Sequence, residues 1–183
     1  MVRIEDGKGV NGAVSVSNTQ RLDVSSRSAK RTYYESRDEG SVYTAAILDA
    51  GAVADEDTVW IKNTSTTQDM VIDVIAVGSV AATTWTVKFV TFTTQPTGTA
   101  ITATNLNRAS SNSASAEIRG GAAGVANLID GPIISYIHVA AGGETLVNAG
   151  GEALRLGQDD QIALECTTSG DAAITIEFHF DSE

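Results

Sequence analysis

The stretch "TTWTVKFVTFTT" at residues 83–94 alternates over most of its length: Trp85, Val87 and Phe89 on one face, Thr86, Lys88 and Val90 on the other. A period of two over this many residues is the mark of a half-buried strand. The same texture spreads in both directions. Downstream, "PIISYIHVA" (132–140), "QIALECT" (161–167) and "AAITIEFHF" (172–180) read as strands. The last of these puts Ile174, Ile176, Phe178 and Phe180 inward and Thr175, Glu177 and His179 outward, with His179 expected at solvent or at an interface. "TSGD" between the last two is a tight-turn signal. Upstream, "SVYTAAIL" (41–48), "TVWIKN" (58–63) and "MVIDVIAV" (70–77) follow the pattern, the latter two flanking "TSTTQD", a connector of hairpin type. "SASAEIR" (113–119) completes the set.

No segment reads as a helix. The best amphipathic candidate, "SASAEIRGGAAGVANL", is broken by Gly120, Gly121 and Gly124. Seven to ten strands without helices between them predict an all-β chain, and one apolar face against one polar face predicts an antiparallel β-sandwich. The tetrapeptide "AGGE" recurs at 141–144 and 149–152, which reads as two glycine turns around the short strand "TLVN".

Composition agrees. Apolar residues make up 42 % of the 183, enough for one buried core, while aromatics are only 5 %. The single cysteine, Cys166, rules out an internal disulfide. The opening "MVRIEDGKGV" has no apolar core of a signal peptide, and no run of 18 apolar residues occurs, so the expectation is a soluble protein made in a cytoplasm, without a membrane partner.

Charge divides the chain. Residues 1–37 hold seven basic groups and four acidic ones, whereas the remainder holds five and nineteen. Residues 1–37 are also rich in Ser and Asn and poor in apolar side chains, and are expected to form an extended N-terminal arm, with 38–183 as the β-sandwich. An acidic body argues against nucleic acid as a partner. A basic arm on such a body suits contact with an acidic protein surface, and Arg3, Lys8, Arg21, Arg27, Lys30 and Arg31 are the candidate contact residues.

Motifs of catalysis do not assemble. Gly7, Gly9 and Gly12 match G-x-G-x-x-G, but a dinucleotide loop needs a preceding buried strand and a following helix, and neither is legible. Asp23 therefore has no ribose to bind. Cys166 shares a face with Ile162 and Leu164 and reads as a small buried hydrophobe. One cysteine with His138 and His179 makes no zinc set. "DEDTVW" (55–60) and "GQDDQ" (157–161) concentrate carboxylates without the spacing of a calcium loop, and are read as solvated charge. Paired acids of a glycosidase would need an aromatic-lined cleft, whereas Trp60 and Trp85 are expected in the core. No catalytic, metal or cofactor residue is assigned.

The segments "TVWIKNTSTTQDMVIDVIAVG", "TNLNRASSNSASAEIRGG" and "EALRLGQDDQIALECTTSGDAAITIEFHF" resemble small virion proteins of tailed bacteriophages, including capsid decoration (cement) proteins and jelly-roll modules of fibres. The likeness spans most of residues 40–183 and lies in texture and order of segments. It implies a jelly roll without an active site or cofactor, a homotrimer, and an N-terminal arm fixed to the major capsid protein on the outer surface of the virion. A fibre or receptor-binding module that holds host-surface glycan is the alternative; a hydrolytic β-sandwich is a third.

Overall fold

A computed structural model describes residues 40–121, 124–148 and 154–181. The expected arm, with its six candidate contact residues, and the second "AGGE" lie outside the described residues. Within them there are twelve strands and no helix. The long strands are β1 (Val42–Ala52), β2 (Asp57–Asn63), β3 (Asp69–Ser79), β4 (Thr83–Thr91), β7 (Ala116–Gly120), β8 (Ile129–Val139), β9 (Gly143–Asn148), β11 (Gln161–Cys166) and β12 (Gly170–Asp181). Three short ones join them: β5 (Thr99–Ala100), β6 (Thr104–Asn105) and β10 (Leu154–Leu156). These three, of two or three residues each, are too brief to show a period.

The strands form two antiparallel sheets. One runs β10-β3-β12-β1-β6, with β9 also on β3; the other runs β5-β7-β2-β11-β4-β8. β9 pairs with Val74–Ser79 and β10 with Met70–Ile72, so the two share the edge of β3 that β12 leaves open. β1 to β4 alternate between the sheets, as do β8, β9, β11 and β12, and the nested orders β1-β12-β3-β9 and β2-β11-β4-β8 are those of a jelly roll. The expected hairpin across "TSTTQD" is corrected: β2 and β3 lie in different sheets, and the connector crosses between them. Alternation reveals which face a strand buries, not which strand it pairs with.

Buried Asn63 fixes that crossing. Its Nδ2 donates to the carbonyls of Gln68 at 2.9 Å and Leu156 at 3.0 Å, while its Oδ1 accepts from Ser65 N at 2.9 Å. One side chain thus stitches the end of β2 to β10 in the opposite sheet.

The core lies between the sheets. Tyr43, Ile47, Ile72, Val77, Ile174, Ile176 and Phe178 from one meet Val59, Ile61, Trp85, Val87, Ile162 and Leu164 from the other. Phe178 stacks on Tyr43 at 5.7 Å and meets Phe180 edge-on at 5.9 Å, which concentrates aromatic burial at one end of β12. A second, smaller cluster of Trp60, Val90, Val125 and Ala163, with Phe92 and Leu128 against it, covers part of the outer face of the second sheet. Both tryptophans are therefore buried, Trp85 between the sheets and Trp60 beneath the segment around Val125.

Candidate functional site

Beside that smaller cluster, the outer face of the second sheet gathers charge. Lys88, in the middle of β4, is only 4 % exposed. Its Nζ lies 3.1 Å from Asp57 Oδ1 of β2 and 2.6 Å from Asp130 Oδ1 of β8, and it donates a short hydrogen bond to Glu165 Oε2 of β11. Four adjacent strands thus meet at one ammonium.

Simple alternation does not bring these groups together; three irregularities in pairing do. Leu164 pairs with Val59 but Glu165 pairs with Asp57, so Thr58 is an extra residue and Asp57 turns to the face of Glu165. On β8, Val87 opposes Ser135, Lys88 opposes Ile133 and Val90 opposes Asp130, so β8 carries an extra residue twice. The second irregularity contains Gly131, where a Cβ would fall 2.8 Å from the carbonyl oxygen of Phe89. Only glycine permits so close an approach of the two backbones.

Burial pushes the Asp57 carboxyl up to about 6, against the pull of Lys88 and with the push of Asp130 and Glu165. Burial alone would lower the Lys88 ammonium, but hydrogen bonds to Asp130 and Glu165 and the charge of Asp57 outweigh it and raise it above its ordinary value. Lys88 therefore stays charged near neutrality and offers no free amine for nucleophilic chemistry. The cluster borders a cavity of about 400 Å³ whose walls also include Asp55, Glu56, Asn127 and Leu128, and no aromatic ring.

Carboxylate oxygens of Asp57, Asp130 and Glu165 all lie within 4.8 Å of one another, close enough to ligate one divalent cation. The ammonium of Lys88 forms an ion pair with all three and takes that position itself. The reading of "DEDTVW" as solvated charge is thus corrected at Asp57, which is buried, while Asp55 and Glu56 are exposed. Asp159 of "GQDDQ" is exposed and pairs with Lys62 at 2.7 Å, and Asp160 accepts from Gly157 N at 3.0 Å.

The histidines and the cysteine serve elsewhere. His179 is 2 % exposed, with Nδ1 2.7 Å from Asp73 Oδ2, which corrects its expected exposure. His138 shares a hydrogen bond of 2.9 Å with Thr84 Oγ1. Cys166 is buried in the core, as its companions on β11 imply, with Sγ 3.4 Å from the carbonyl of Val53.

The other conspicuous feature is apolar. β8 ends the second sheet and exposes Ile129, Ile133, Ile134 and Tyr136, the last by 58 %. Its stretch "GPIISYI" (131–137) has no charged residue. No family model, curated protein or solved structure matches the chain.

Alternation sets Lys88 on the face opposite Trp85 and Val87 but does not reveal its partners. A lysine between Val87 and Phe89 on a strand otherwise free of charge was the one available signal.

Proposed function

We propose that this chain is a non-enzymatic virion structural protein that decorates and stabilises a bacteriophage capsid as a homotrimer on its outer surface. The observation that carries this reading is the long apolar side at β8. Large exposed apolar side chains grouped on one strand suit contact with protein rather than turnover of a small substrate. The buried charge nearby agrees, since the three carboxylates that could serve a reaction are ion-paired with Lys88. The resemblance of most of residues 40–183 to cement proteins supplies the capsid. The excess of basic groups in residues 1–37 over an acidic body supplies the attachment.

The test is co-sedimentation of the full chain with purified capsid shells. Replacing Arg3, Lys8, Arg21, Arg27, Lys30 and Arg31 by Ser should weaken sedimentation severalfold and flatten its salt dependence, without altering the circular dichroism of the body. Undiminished binding of that variant contradicts the role of the arm. Failure of the native chain to bind any shell, with retention on host polysaccharide, would favour a fibre module instead.

A further inference from the structure

We propose that copies of this chain meet one another through the β8 side of the sandwich, by side-chain packing rather than by strand addition. The inference rests on the self-association in the reading above and needs no capsid.

The charge, the size and the blunted edge of this side carry it. The exposed residues Ile133, Ile134 and Tyr136 lie within seven uncharged residues, in a body where residues 38–183 hold nineteen acidic groups against five basic ones. Two such bodies repel wherever charge meets charge, so an uncharged side is where they approach at least cost. The carboxylate at the start of β8, Asp130, is ion-paired with Lys88 at 2.6 Å, which offsets part of its charge. The contact therefore falls on the uncharged stretch 131–137, past the cluster, where carboxylates still outnumber Lys88.

Size fits as well. An eleven-residue strand spans about 36 Å, and a two-sheet sandwich is roughly 20 Å thick with its outer side chains. That gives a side of roughly 700 Å², close to the ~800 Å² per partner of a standard protein interface.

Backbone pairing is the less suitable mode. Pro132 has no N–H to donate, and the two irregularities break the ladder of β8, both being features that blunt a strand edge. What β8 presents is a row of isoleucines and a tyrosine. We place these β8 residues at the threefold axis of the trimer, the one part of a head-to-tail ring where a residue meets its own copies.

The experiment measures the mass of the full chain in solution by light scattering across micromolar concentrations. The native chain should run at a multiple of 19.0 kDa. Ile133→Glu with Tyr136→Glu should reduce it to a single chain while leaving the circular dichroism unchanged. Should that variant not fold, Tyr136→Cys under mild oxidation decides, because it should give disulfide-linked pairs of chains whereas Leu48→Cys should not. Leu48 is the control because it is more exposed still and belongs to the other sheet. Native protein that stays a single chain overturns the proposal. So does a folded Ile133/Tyr136 variant of unchanged mass, or cross-linking through Leu48→Cys and not Tyr136→Cys. Capsid binding reads separately: a single chain that still sediments with shells refutes this interface and leaves the cement reading standing.

Discussion

Two basic side chains, one on each sheet, are buried where the strand pattern expects solvent. Lys88 on β4 meets three carboxylates; His179 on β12 meets Asp73. In both places an extra strand residue changes which groups share a face. Thr58 turns Asp57 toward Lys88, and on β3 the pairing steps from Val74 to Ile72 opposite Glu177 and Phe178, leaving Asp73 as the extra residue. The difference lies in charge. The carboxylates around Lys88 outnumber it, so the lysine is what allows them to be close, whereas the His179 contact joins one donor to one acceptor. A bulge can bring groups together on either sheet, but only the crowded site depends on a single cation.

Removing each basic side chain should separate the two sites. Lys88→Met leaves three carboxylates crowded at a buried position and should cost about 3–5 kcal/mol in denaturant unfolding. Equal losses at Lys88 and His179 would break the comparison.

Asp57 sharpens it through pH. Its carboxyl titrates at about 6 in the fold against 3.8 ordinarily. A group so raised lends its stability in full below 3.8 and loses it as pH climbs through about 6. Ionised Asp57 is thus a cost at neutral pH, and Asp57→Asn should be more favourable at pH 8 than at pH 4 by about 2–3 kcal/mol. Thermal melts of both proteins across that range read the difference, and a flat difference contradicts the raised value.

His179→Ala should cost less, about 1–2 kcal/mol, because it unpairs Asp73 at a position still partly open to water. The same denaturant series checks it. Smallest of all should be Arg155→Ala. Arg155 bridges Asp69 at 3.1 Å and Asp181 at 2.9 Å on an exposed surface, where ion pairs contribute little, and its melting temperature should match that of the native chain.

Much of the architecture was legible because burial imposes a period. Trp85, Val87, Ile162, Leu164, Ile174, Ile176 and Phe178 alternate in the sequence and all reach the core. The pairing partners were not legible, since "TSTTQD" looks alike whether it closes a hairpin or crosses between sheets. The charged site was hidden for a related reason. Alternation places Asp57 with Val59, facing inward, and only the extra residue Thr58 moves it beside Lys88. His179 was misread because alternation identifies the outer face of β12 but says nothing of Asp73 on β3, which pairs with His179 there. A strand's period predicts its own faces; an irregularity belongs to a pair of strands.

The central claim about the charged site is that Lys88 is its resident cation. The most direct measurement is the melting temperature of the native chain and of Lys88→Met with and without millimolar calcium or magnesium. An ion that binds only the folded state must raise that temperature. The native chain should be unmoved, while Lys88→Met, with Asp57, Asp130 and Glu165 left open to an ion, should be raised. A native chain that either ion stabilises with Lys88 in place would contradict the account.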